Sequence, residues 1–296
     1  MYGLPNAALQ LSRAAAGALA GKRVIVVGGT AGIGAGLARA AAAAGARVTV
    51  LGRTQRDASP SLEFVRADLE SMAAARRVAR ALPAEGADVV CFTNGIVPGN
   101  ARKATSEGVE QDMAVSALSR HVMLKELVPR LRPSARVLVW GFPGSAGYMK
   151  KTSVDDFNSE RAYSGGFETP HMNTVALNEA LVLHWASKGV TTAGFNPGLI
   201  KTGIRDSLHG GGVVGQWLES FLSFVMRNPS VEEYADRVLW TFTTPDLAKH
   251  SGAMFGQSGS PILPSPEFAE QPELVAKWIA AADALADKAL ASAGAK

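Results

Sequence analysis

The chain is poor in cysteine, in acid near its start, and in long apolar runs. One cysteine, Cys91, among 296 residues excludes an internal disulfide framework and any zinc cluster built on thiolates. It stands in Asp88-Val89-Val90-Cys91-Phe92, which reads as a buried strand, so Cys91 is expected to be a small core residue. No segment has the length and apolarity of a membrane span; Ala31 to Ala46 is mostly Ala and Gly and contains Arg39. Ala14 to Ala20 lacks the Leu/Val core of a signal peptide. The stretch before Asp57 holds no Asp or Glu, as transit peptides often do, but the simpler expectation is a soluble, cytoplasmic protein.

Lys plus Arg is 30 against 26 for Asp plus Glu, a net charge of +4. The bases are scattered, with no stripe and no interleaved aromatics, so nucleic acid is not an expected partner. The small surplus favours an anionic ligand. The residues His121, His184, His209 and His250 show no metal-ligand spacing, so no metal is expected. No Gly-x-Ser-x-Gly elbow stands in a convincing context, which argues against hydrolysis by a serine nucleophile. What is present is apolar material, 47% of the chain, arranged in short blocks that can build a core.

Those blocks alternate. The β-branched run Val24-Ile25-Val26-Val27 suits a strand buried on both faces. An Ala-rich helix follows over Ile33 to Ala44, then strands over Ala46–Leu51 and Leu62–Val65, a helix over Leu69–Leu82 and a strand over Ala87–Phe92. A long helix is expected over Gly108–Leu131, a strand over Arg136–Trp140, a helix over Thr169–Ser187 and a strand over Val190–Phe195. Helices over Val213–Met226 and Ser230–Phe242, a short strand at Gly252–Phe255, a proline-punctuated connector over Pro261–Pro266 and an amphipathic helix over Glu273–Ala291 complete the chain. Strands alternating with helices call for an α/β fold, one doubly wound parallel sheet with helices on both faces.

Gly28-Gly29-Thr30-Ala31-Gly32-Ile33-Gly34 joins the first strand to the first helix. Glycines there permit a tight turn and let backbone approach a pyrophosphate, while the helix start offers free N–H groups to it. The spacing Gly-x3-Gly-x-Gly resembles that of the short-chain dehydrogenase/reductase family. The resemblance runs from about Lys22 to Thr202. The alternation gives a single Rossmann-type domain over 1–296 as the expectation, with its core over about 22–256, a substrate lid over 203–228 and a C-terminal extension over 261–296. The resemblance implies roles for Asp68 and Leu69 at adenine, for Asn94 and Gly95 at the end of the fourth strand, and for Pro197, Gly198 and Thr202 against the nicotinamide. The expected cofactor-binding set is Gly28, Thr30, Gly32, Ile33, Gly34, Arg53, Asp68, Leu69, Asn94, Gly95, Pro197, Gly198 and Thr202. The second strand ends in Arg53, where an NAD site would carry Asp or Glu about 20 residues past the glycines. A guanidinium pairs with a 2′-phosphate, so NADP(H) is the expected cofactor.

The family's Tyr-x-x-x-Lys pair is missing. Alignment by the following helix places His171 at the Tyr position and Val175 at the Lys position. Gly141-Phe142 stand where Ser is expected, and Ser116 where Asn is. Imidazole titrates near neutrality, so His171 can act as acid or base, or be a structural histidine. Tyr163 is a second candidate donor. Arg120 lies one turn after Ser116; it could fix an anionic or carbonyl group, or form a structural pair with Asp155 or Asp156. The expected catalytic set is therefore His171, Tyr163, Ser116, Arg120 and Asp155.

The Gly210-Gly211-Gly212 hinge before an apolar helix suits a lid, or equally a helix packed on the core. With Trp140, Phe142 and Tyr148 expected near the mouth, a hydrophobic substrate fits better than a sugar. The terminal helix either covers the domain or joins a homo-oligomer. Three functions follow: an NADPH-dependent reductase of a carbonyl, imine or activated alkene in a specialised metabolite; a non-redox cyclase or isomerase; or a catalytically dead NADP(H)-binding regulator.

Overall fold

The computed structural model describes residues 18–56, 59, 61–144, 147–164, 168–200 and 228–294. The expected lid over 203–228 lies almost wholly outside these residues, as do Thr202 and the glycine hinge.

Eight strands form one sheet in the order β3-β2-β1-β4-β5-β6-β7-β8. They are β1 (Arg23–Val27), β2 (Arg47–Gly52), β3 (Leu62–Arg66), β4 (Val89–Phe92), β5 (Arg136–Trp140), β6 (Thr191–Phe195), β7 (Ala253–Phe255) and β8 (Pro261–Ile262). The pairings from β3 through β7 are parallel, and β8 closes the edge antiparallel to β7. The eighth strand falls in the segment read from sequence as a connector, because two residues are too few to show a period.

Side chains alternate across each strand, so every buried strand feeds two cores. Ile25, Val27, Val90, Phe92, Val137 and Val139 enter one. Val24, Val26, Val89, Cys91, Leu138 and Trp140 enter the other. Helices α1 (Gly32–Ala43) and α6 (Val231–Val238) cover the second face, through Leu37, Val231 and Tyr234. The first face is covered by α2 (Met72–Ala81), α4 (Ser119–Leu127), α5 (Thr169–Ser187) and the C-terminal helix α9 (Pro272–Gly294). Two short helices, α7 (Asp246–Lys249) and α8 (Pro266–Glu270), lie in the connections. Val275, Trp278 and Ile279 of α9 are buried in the first core, so this helix covers the domain with its apolar face.

The expected continuous helix over Gly108–Leu131 is interrupted. A single turn, α3 (Gln111–Met113), opens into a π-helical turn over Ala114–Leu118 before α4 begins. Periodicity cannot announce that widening; a side chain from another helix holds it, as described next.

Candidate active site

The loops after β1, β4, β5 and β6 gather at the carboxyl ends of the strands, beside β1, where the strand order turns back. Ligands of open α/β sheets bind at such a point.

The first loop is shaped by glycine. Gly28 has a φ of 83°, and a Cβ there would collide with the backbone of Asn94. A Cβ on Gly34 would strike the carbonyl of Gly28, so α1 can pack this close only through glycine. The N-cap of α1, Ala31, makes no side-chain hydrogen bond, and the first turn, with Gly32 and Ile33, carries no acid. The helix start therefore presents uncapped amides and the positive end of its dipole. Thr30 packs its side chain against Gly52, at the end of β2. Arg53 follows, exposed, its guanidinium 3.5 Å from the carboxylate of Glu70. Glu70 also accepts from Nε2 of Gln111 at 3.0 Å. Asp68 is exposed and accepts the Glu70 amide at 3.1 Å, while Leu69 is buried.

The second loop carries Asn94 and Gly95. Asn94 donates through Nδ2 to the carbonyl of Val115 at 2.5 Å and to Oγ of Ser119 at 3.2 Å. Its Oδ1 is buried with no protein partner. The Ser116 hydroxyl accepts the amide of Ile96 at 3.0 Å and donates to Oδ1 of Asp112 at 2.5 Å. It thus fastens this loop to the helix and is already engaged on both sides.

Asp112 is fully buried, and its other oxygen lies 2.8 Å from Nδ1 of His171 on α5. One carboxylate thus gathers Ser116 and His171. A ring that donates its Nδ1–H to a carboxylate keeps Nε2 as its acid–base nitrogen. Tyr163 comes to the same neighbourhood. Its hydroxyl donates to the carbonyl of Gly99 at 3.1 Å, and burial, then the charges of Glu110 and Asp112, push its phenol up.

Arg120 is 2% exposed and reaches across the sheet ends. It donates to the carbonyl of Trp140 at 2.7 Å, to Oδ1 of Asn178 at 3.0 Å and to the carbonyl of Asn94. These contacts join β4, β5 and α5. Burial lowers its pKa to about 9, opposed by the charge of Asp112, so it remains a cation at neutral pH. Asn178 in turn donates to the carbonyl of Ser116 at 2.9 Å. That carbonyl lies within the π-helical turn, so the wide turn is stabilised from α5.

The expected ion pair of Arg120 with Asp155 or Asp156 does not form. Asp155 is exposed and pairs with Lys277 at 3.0 Å, away from this group, because its side chain points to α9. Asp156 accepts the amides of Glu160, Arg161 and Ala162 and shapes the turn that leads to Tyr163. Two aromatics expected at the mouth are core residues instead. Trp140 stacks on Phe195 at 4.3 Å, and Tyr148 donates to the buried Glu179 at 2.8 Å. Phe142 is half-buried with a φ of 56°. Across from it, Asn196 donates to the carbonyl of Pro143 at 3.1 Å and accepts the amide of Gly198 at 3.1 Å, which fixes the turn at Pro197 and Gly198.

Sequence reasoning missed Asp112, Asn178 and Glu179. Asp112 precedes Ser116 by four residues and Arg120 by eight, one face of a helix, but nothing in the sequence pairs it with His171. Among the described residues no acidic, histidine or cysteine cluster could hold a metal, and no helix is long and apolar enough to cross a membrane.

The described residues fit a nicotinamide dinucleotide: a glycine cradle, an uncapped helix start, an arginine at the end of β2, and the orphaned amide oxygen of Asn94. Comparison with known proteins agrees. Residues 22–139 match the family model of short chain dehydrogenases. An uncharacterized oxidoreductase of Saccharomyces cerevisiae is 36% identical over 284 residues, 90% of this chain and 88% of that protein. Human retinol dehydrogenase 12 is 27% identical over 62% of this chain and 63% of its own length. Among solved structures, the Pseudomonas aeruginosa RhlG/NADP active-site complex superposes with a TM-score of 0.58 at 22% identity, covering 82% of this chain and 97% of that one. The chain belongs to the short-chain dehydrogenase family and is an oxidoreductase of that type, whose members use nicotinamide dinucleotides.

Proposed function

We propose that the protein is an NADPH-dependent reductase of a carbonyl, imine or activated alkene in a hydrophobic, specialised-metabolite substrate, with His171 as the proton donor. The observation that carries this reading is the 2.8 Å contact between Nδ1 of His171 and buried Asp112, at the carboxyl ends of the strands. When bound, the cofactor supplies the hydride. The chain's own residues do the rest. The amides of Gly28 to Gly34 would hold the pyrophosphate, and Arg53, helped by Thr30, would pair with a 2′-phosphate. Asp68 and Leu69 would lie at the adenine, Pro197 and Gly198 at the nicotinamide, with Asn94 and Gly95 completing the site.

Asp112 fixes the imidazole's tautomer and orientation. Nε2–H of His171 then protonates the substrate atom that becomes negative as hydride arrives. Tyr163, anchored on Gly99, bounds the pocket from the substrate side. An apolar substrate fits the rim: Leu199 and Leu263 are the exposed large hydrophobics among the described residues. Leu199 lines a cavity of about 410 Å³ together with Gly144, Asn196, Gly198, Gln257 and Ile262. A relative named for retinol, an apolar alcohol, points the same way.

The test is NADPH oxidation against a panel of lipophilic ketones, imines and enones, for the native chain and His171→Gln. A lost general acid should lower kcat by about 10²–10⁴-fold, with NADPH affinity unchanged. Turnover within twofold of the native enzyme would remove His171 from the role.

A further inference from the structure

A buried arginine with a surplus of positive charge is expensive; three neutral acceptors take hydrogen bonds from this one without balancing that charge, and its buried Nε has no partner among the described residues. The acceptors of Arg120 are the carbonyls of Trp140 and Asn94 and the amide oxygen of Asn178, all neutral. Among the described residues, the carboxylate whose charge acts on it is Asp112, itself fully buried. Asp112 also holds the ring of His171. Ser116 Oγ, bonded to Asp112, and Nη2 of Arg120 both lie beside Gly95, so the buried cation stands close to the carboxylate that holds the partly buried ring of His171.

We propose that Arg120 is a positioning residue for proton transfer, its buried charge acting through Asp112 to make His171 release its proton readily. This inference rests on the reading of His171 as the donor. An isolated Asp–His pair in a low-dielectric interior binds its shared proton tightly, because losing it leaves a net negative charge without compensation. A fixed cation close to Asp112 compensates that negative charge and eases the loss. The same cation keeps the remaining proton on the imidazole rather than on the carboxylate, where it could not reach a substrate.

Other charged groups face this cluster. Glu110 caps α3 next to Asp112, and Arg102 and Tyr163 approach from the loops at 99–102 and 160–163. Burial, then the neighbouring Asp112, push the Glu110 carboxyl up. Arg120 is the buried cation of the group, and with 2% exposure its charge is little screened by solvent.

The experiment follows the His171 ring directly, by proton–nitrogen correlation spectra of the full-length protein over a pH series, with His171→Gln to assign the signal. Arg120→Gln keeps amide donors for the strand-end carbonyls and removes the charge; Arg120→Met is the second variant, should Gln fail to fold. The loss of a cation should move the ring's titration to higher pH, its proton affinity rising about tenfold or more. Asp112→Asn should move it the opposite way. Opposite displacements from two residues in one cluster are not what a purely structural clamp produces. A titration that stays in place, or moves down, in the Arg120 variants overturns the inference. The basic limb of the NADPH-oxidation profile supplies the separate readout. If the ring's titration rises while that limb stays fixed, His171 is not the donor, and the electrostatic role of Arg120 stands.

Discussion

Arg53 shows how a single exposed side chain can choose a cofactor. Its ion pair with Glu70 is long and two-thirds exposed on the arginine side, so it contributes little to folding. Arg53→Ala should therefore leave thermal stability within about 0.5 kcal/mol of the native chain. It should weaken NADPH binding about 10–100-fold, the worth of a lost charge-assisted hydrogen bond, and leave NADH almost untouched. Calorimetry with both cofactors checks this; equal losses for the two would contradict the 2′-phosphate assignment. At this scale the sequence was only half legible. Arg53, Thr30 and the glycines stand where strand, turn and helix are contiguous, so spacing places them. The position of His171 could also be counted, but its partner could not. Asp112 lies far from it in the chain, and only the crossing of the π-helical turn with α5 brings the carboxylate to the ring. Asp155 failed for the complementary reason: proximity in sequence to a functional loop says nothing of which way a side chain turns.

Elements were easier to read than contacts. The strands β1 to β7 and helices α1, α2 and α5 lie close to where hydrophobic runs and glycine breaks put them, because burial on two faces leaves an unbroken apolar signature. The π-helical turn and β8 were invisible, since both depend on partners distant in sequence. So does Glu179, which lies on α5 with no exposure at all. Its carboxylate accepts the amide of Gly144 at 3.0 Å, the hydroxyl of Tyr148 at 2.8 Å, and the amide and hydroxyl of Ser265 at 2.6 and 3.0 Å. Four donors from three segments hold it, with no cation paired to it among the described residues, and burial followed by Glu179 itself pushes the Tyr148 phenol well up. Tyr148→Phe removes one donor from a buried charge and should cost about 1.5–3 kcal/mol. Urea unfolding would show this as a lower midpoint with an unchanged slope; a loss below 0.5 kcal/mol would mean the carboxylate finds another partner.

Across the whole molecule, α9 closes one face, and its attachment depends on pH. His121, 2% exposed on α4, lies 3.0 Å from Asp283 of α9, which also takes Lys125 at 2.6 Å. Burial holds His121 below its usual value of 6.5, against the pull of Asp283. His184, half-buried nearby, is lowered too, by burial and then by Lys188. The sign follows. The folded state keeps His121 neutral, while the unfolded chain takes up a proton as pH falls below about 6.5. Stability is therefore full above that pH and is lost as pH falls toward the depressed value of the folded ring. Asp283 shows the ordinary carboxylate behaviour: burial opposes its charge, Lys125 and His121 outweigh that, and its contribution fades only in stronger acid. Thermal melts between pH 7.5 and 5 should show a steady fall in Tm, and His121→Gln should flatten it. A native melting curve independent of pH over that range would contradict this account.

The two-residue strand β8 has a consequence for how copies of this chain can meet. It caps the sheet in antiparallel register, pairing Phe255 with Pro261, and its proline has no N–H to offer outward. A strand that short, with an imino nitrogen at its head, is a poor template for backbone annealing. Edge-to-edge annealing of sheets is disfavoured on that flank, which leaves side chains on helices and loops as the better contacts for self-assembly there.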